Sequence, residues 1–122
     1  MNTFTWLFIG HLIGDWLLQN DWMARGKRRG FLTWPGTIHF TVYTMTLMST
    51  LHLSDPPTQG WGFVLSLGIF IYISHWLTDA TNIVTWWMRF YHQTEMELIR
   101  VMIDQTLHLL VLALITVLFF NE

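Results

Sequence analysis

Cysteine is absent from the 122-residue chain, which excludes disulfides, thiolate metal ligands and a cysteine nucleophile. Charge is also scarce: Asp, Glu, Lys and Arg make up 11% of residues, against roughly a quarter in soluble globular domains. Only six residues are basic and the net charge is −2, so no broad positive field gathers nucleic acid, and no nucleic-acid motif is present. Neither a basic stretch nor a small-residue cleavage site accompanies the first apolar run, so a removable signal peptide is not expected. No solenoid repeat or low-complexity tract interrupts the chain. What is abundant is apolar: hydrophobic residues reach 52%, with eight Trp, nine Phe and seven Met.

These residues are arranged in long charge-free stretches. The first 14 residues carry no formal charge, nor do 36–54, 56–78 or 105–121. Each is near the length of about 20 residues that a membrane-crossing helix requires. The pattern predicts one domain over 1–122, an all-α four-helix transmembrane bundle with spans near 3–22, 35–53, 61–84 and 98–120. A soluble bundle would need a polar face on every helix, and residues 61–77 (GWGFVLSLGIFIYISHW) offer almost none. The breaks are Trp34-Pro35 after the basic run RGKRR (25–29), Ser54-Asp55-Pro56-Pro57, and the mixed aromatic and charged stretch WWMRFYHQTEMEL, which reads as interfacial.

All six basic residues, Arg25, Lys27, Arg28, Arg29, Arg89 and Arg100, fall in or beside the first and third connections. The positive-inside rule makes that side cytoplasmic and puts both termini on the other. Trp22, Trp34, Trp86 and Trp87 mark the same boundary. The basic run therefore reads first as a topological signal that also touches anionic lipid, and second as a means of gathering a phosphate-bearing substrate.

Within the spans the ionisable residues form a pattern. His11 and Asp15, His75 and Asp79, and Asp104 and His108 are three pairs at i, i+4, so each pair shares a helix face. The second span adds His39. Counted from the flanking Trp and Arg residues at about 1.5 Å per residue, these groups lie roughly 6–11 Å inside the cytoplasmic boundary. An Asp in mid-membrane costs about 2.5–3.5 kcal/mol on insertion scales, so three are expected only if turned inward and held by something positive, a metal ion or protonated His. His52 and His92 fall outside this level.

Four imidazoles and three carboxylates suit Zn, Mn or Fe. The candidate metal ligands are His11, Asp15, His39, His75, Asp79, Asp104 and His108, enough for two ions or for one ion with orienting neighbours. Asp15, Asp79 and Asp104 are the candidate catalytic carboxylates, and Gln19, Tyr43, Tyr72, Asn82 and Gln105 the candidate supports. Gly10 and Gly14 form a small-xxx-small pair that lets a neighbouring helix approach. The leading expectation is a metal-dependent hydrolase acting on a lipid or phosphoester at the inner leaflet. A second is a non-enzymatic oligomeric or partner-binding membrane subunit whose polar network locks helix register, and a third is an ion or proton conductor. Membrane lipids are the expected surroundings, with a second copy or another membrane protein as partner.

The segments HLIGDWLLQNDWMA, HWLTD and DQTLHL, spread over nearly the whole chain, resemble the domain-of-unknown-function 3307 family of small bacterial and phage membrane proteins. That resemblance implies a bacterial inner-membrane location and assigns no activity. The inward His/Asp pattern is also similar to the membrane-bound metal-dependent hydrolases, which implies a hydrolase.

Overall fold

A computed structural model describes residues 1–54, 58–93 and 96–121, and no strand occurs among them. Asp55, Pro56 and Pro57, expected to break the second connection, lie outside the described residues, as do Thr94 and Glu95 of the third. Helix α1 covers Thr3–Leu12 and continues through a wider turn, Ile13–Leu17, in which the Leu18 N–H donates to the Ile13 carbonyl at 2.9 Å. It is followed by α2 (Asp21–Gly26), α3 (Trp34–Ser54), α4 (Trp61–Ala80), α5 (Ile83–Phe90) and α6 (Glu97–Ile115), the last extended by a similar wide turn over Thr116–Phe120.

Two helix ends differ from the expected spans. The first helix stops at Leu17 instead of running to 22, because Asn20 starts a new one. Its side-chain oxygen accepts the Met23 N–H at 2.9 Å, and Asp21 occupies the first turn, where the helix dipole favours a carboxylate. The third ends at Ala80 instead of 84: Thr81 is extended and the chain turns into α5. On α5, Val84 and Met88 are buried one turn apart while Trp86, Trp87 and Phe90 are exposed, the one-sided pattern expected of an interfacial segment.

Close backbone approaches set the site's frame. A Cβ on Gly10 would lie 2.5 Å from Thr50 Oγ1 and 3.3 Å from Leu47 Cα, so α1 packs against α3 at backbone distance beside His11. A Cβ on Gly26 would come within 2.3 Å of the Pro35 ring, so the end of α2 lies directly on the start of α3. The Thr33 hydroxyl donates to the Gly26 carbonyl at 2.8 Å. Farther along the same loop, the Phe31 carbonyl accepts the Trp76 indole N–H at 2.7 Å, with the two rings 4.3 Å apart. The basic loop is thus tied to α3 at one point and to α4 at another. Lys27, between them, is drawn inward.

Leu7, Leu47, Leu67, Ile71, Leu112 and Ile115 form the apolar core. Each lies on the terminal side of a cluster residue of its own helix: Leu7 before His11, Ile71 before His75, Leu112 after His108. Two helices, Trp61–Ala80 and Glu97–Phe120, are long and apolar enough to cross a membrane, with mean hydropathies of 1.4 and 2.0. Only 17% and 22% of their most apolar stretches are buried, so most of that apolar surface faces outward.

Candidate metal centre

Six of the seven expected ligands meet in two groups that share Asp15. Asp15, His39, His75 and Asp79 form one, and Asp15, Asp104 and His108 the other; within each, one ligand atom per residue lies within 4.8 Å of the rest. Four helices contribute. The wide turn at the end of α1 carries Asp15, α3 carries His39, α4 carries His75 and Asp79, and α6 carries Asp104 and His108. A widened helical turn of this kind is often found where a functional side chain is presented. The side chains of all six are buried except that of Asp104, which keeps 18% of its surface.

The sequence reading missed the group at the centre. Lys27, taken as one charge of a topological run, is 5% exposed, and its ammonium sits inside the first group. It lies 2.5 Å from Asp79 Oδ2, 3.4 Å from Asp15 Oδ1 and 3.3 Å from His39 Nε2. An ammonium has three N–H donors; the two carboxylate oxygens accept, and His39 Nε2 accepts in the tautomer that leaves that nitrogen unprotonated. The missing signal was charge balance: three inward carboxylates demand a cation, and Lys27 brings one to Asp15 and Asp79.

His39 and His75 complete that box. Their Nε2 atoms are 3.0 Å apart, so one donates to the other, and His75 lies flat on the Tyr43 ring with centroids 3.6 Å apart. Both Nδ1 atoms are buried without a hydrogen-bond partner.

The second group is built differently. His108 Nδ1 is 2.8 Å from the Asp104 backbone carbonyl, which can only accept, so Nδ1 carries the proton and donates. In the neutral ring this leaves a lone pair on Nε2, which is buried without a hydrogen-bond partner and faces Asp79 Oδ1 at 3.4 Å. Two electron-rich atoms facing each other at that distance require a proton or a metal ion between or beside them. Gln105 Nε2 donates to Asp15 Oδ2 and to Asp104 Oδ2, both at 3.2 Å. Its Oε1 lies 2.9 Å from His11 Nε2.

Not every expected role is met. His11 joins neither ligand group: its nitrogens lie 3.1 Å from the Tyr43 hydroxyl and 2.9 Å from Gln105, so it is engaged on both sides and orients its neighbours. Tyr43 and Gln105 thus contact the cluster directly. Tyr72 instead packs edge-on against Phe40, at 6.0 Å between centroids, and makes no bond to the cluster. Gln19 makes no bond to Asp15, because the chain leaves the helix at Leu18; its Oε1 is buried without a partner. Asn82 is exposed at the start of α5 and lines a cavity rather than the cluster. His52 and His92 are exposed, as expected.

That cavity, of about 120 Å³, reaches Asp79 and Asp104 and is bounded by Arg28, Arg100, Asn82 and Thr85. Arg100 Nη1 donates to the Thr85 hydroxyl at 2.9 Å. Two arginines therefore line the same cavity as two carboxylates.

Among curated proteins and solved structures nothing matches the chain. One family does, described as "Protein of unknown function (DUF3307)", and its match extends over residues 3–122. With that coverage the chain belongs to the DUF3307 family.

Proposed function

We propose that the chain is a metal-dependent hydrolase of the bacterial inner membrane, acting on a phosphoester at the cytoplasmic surface. In this reading α1, α3, α4 and α6 are the four spans, and both termini lie outside. The outward apolar surface supports it: Leu65, Ile69, Ile73 and Leu77 line the exposed side of α4, and Leu110, Leu114 and Leu118 that of α6. So much apolar area suits lipid and not water. α3 is less apolar, but its Thr37, Thr41, Thr44 and Thr46 hydroxyls each donate to a carbonyl four residues back, at 2.8–2.9 Å, which satisfies them without water. Exposed Trp22, Trp34 and Trp86 accompany the basic connections, as interfacial Trp does.

The observation that carries the hydrolase reading is the buried, unbonded His108 Nε2 facing Asp79 beside a cavity rimmed by Arg28 and Arg100. The donor set fits a divalent ion: neutral imidazole and carboxylates, with the His108 ring oriented by a carbonyl. A bound ion supplies Lewis acidity and a water acidified toward neutral pH. Asp79 and Asp104, on the cavity wall, are placed to accept that water's proton. Arg28 and Arg100 are placed to hold the charge of a phosphoryl group. Asp15, deeper, links the two ligand groups. No serine nucleophile is apparent, so attack is by water.

A register-locking network is favoured by the burial of Lys27 against Asp15 and Asp79, but a lock has no use for a cavity that reaches its carboxylates. A conductor is disfavoured by the core of Leu and Ile, which closes the cluster off on the side away from the basic loops. Purified protein supplied with Zn or Mn should hydrolyse a phosphomonoester or phosphodiester, in solution or on phosphatidic acid vesicles. Chelation should abolish turnover, and Arg100→Ala should raise KM several-fold more than it lowers kcat. Turnover indifferent to chelator, or none with every ion and substrate class, contradicts the reading. Because cysteine is absent, single-cysteine variants report topology directly. Arg29→Cys in inverted vesicles should react with a membrane-impermeant thiol reagent, and Asn121→Cys only in intact cells; labelling of both from one side contradicts the four-span arrangement.

A further inference from the structure

We propose that Lys27 is a resident cation that makes the centre a one-ion site, with the divalent ion held by Asp15, Asp104 and His108 and the His39/His75 box filled by the lysine ammonium. The inference rests on the metal reading above and fixes what that reading leaves open, the number and place of ions.

Three observations carry it. The first is occupancy: Lys27 Nζ lies 2.5–3.4 Å from one atom each of Asp79, Asp15 and His39. A metal bound to those same atoms would need bonds of roughly 2.0–2.2 Å, and the ammonium already stands in that space. The second is charge. Asp15, Asp79 and Asp104 bring three negative charges and Lys27 returns one, and a single divalent ion balances the remaining two. Two divalent ions together with the lysine would leave a buried excess of two positive charges, at several kcal/mol per uncompensated ion. The third is access. The second group includes the only partly exposed carboxylate of the six ligands, Asp104, on the cavity wall; Asp79 reaches the same cavity but is held by Lys27, and neither His39 nor His75 lines it. His108, in the same group, keeps its Nε2 buried and without a hydrogen-bond partner.

The lysine is held in place from outside. Its backbone follows Gly26, which is pressed against Pro35, and the loop beyond is pinned through Phe31 to Trp76 on the same helix as Asp79. The chain thus builds into its fold the positive charge that a two-metal centre takes from solution. That leaves one ion with open positions toward the cavity, where a water and a phosphoryl oxygen can both reach it.

Elemental analysis of Zn and Mn per chain, on the full protein in detergent, tests the count. Wild type should bind one ion, Lys27→Arg one, and Lys27→Gln two, the second entering the vacated box. Mn-loaded Lys27→Gln should show the electron-spin coupling of a neighbouring pair, which wild type lacks. Two ions in wild type, or one ion with unchanged affinity in Lys27→Gln, overturns the inference while leaving the metal reading intact. No ion in any of the three removes both. Should Lys27→Gln not fold, the wild-type count and the wild-type Mn spectrum decide alone.

Discussion

Replacing Lys27 by Met is expected to lower stability by about 3–5 kcal/mol in chelator, the range for removing one partner of a buried ion pair. The physical reason is what the lysine leaves behind. Asp15 and Asp79 retain 3% and 2% of their side-chain surface, so water cannot replace the ammonium. The loss should be read from unfolding midpoints in detergent, and two further measurements separate charge from packing. Lys27→Met with Asp79→Asn should recover most of it, because the second substitution removes a stranded charge. Excess Zn should also recover part, since an ion that binds only the folded state at a hundred times its Kd stabilises by about 2.7 kcal/mol. A loss below about 1 kcal/mol, with no response to Zn, would mean that Lys27 does not hold the carboxylates.

Asp104→Asn should have the opposite profile. In chelator it removes one negative charge from a group carrying three against one, so stability should stay within about 1 kcal/mol or rise slightly, as its side chain is partly exposed and its Gln105 bond can be kept by an amide. With metal and substrate present, kcat/KM should fall by about 10²–10⁴-fold, the range for removing a positioned acid or base. A purely structural network predicts the reverse, a stability loss without a catalytic one. Measured together on the same preparation, the two quantities decide between the readings.

The contrast between Lys27 and Asp104 also marks what the sequence discloses. The three His/Asp pairs were legible because helical geometry alone places i and i+4 on one face, and matched distances from flanking Trp and Arg residues aligned them with His39. The contacts of Tyr43 and Gln105 were legible from their places beside cluster residues, Tyr43 one turn beyond His39 and Gln105 next to Asp104. Lys27 was not legible, because in RGKRR it is surrounded by Arg25, Arg28 and Arg29, which are exposed, and nothing local distinguishes it. What brings it inside is nonlocal: Gly26 against Pro35, and Phe31 on Trp76. Gln19 counts among the supports only if the first helix runs unbroken to residue 22, whereas it ends at Leu17. Asn20-Asp21 is a helix start, and reading it so would have ended the first helix before Gln19. Tyr72 shares α4 with His75 but faces Phe40, since a residue three places along a helix is displaced by about 60° from exact alignment.

Anomalous diffraction from crystals of the Zn- or Mn-loaded protein probes the centre most directly. One metal peak is predicted, bonded to Asp15, Asp104 and His108, with Lys27 Nζ remaining on Asp79 and His39. Two peaks, or one peak enclosed by His39, His75 and Asp79 with the lysine displaced, would contradict it.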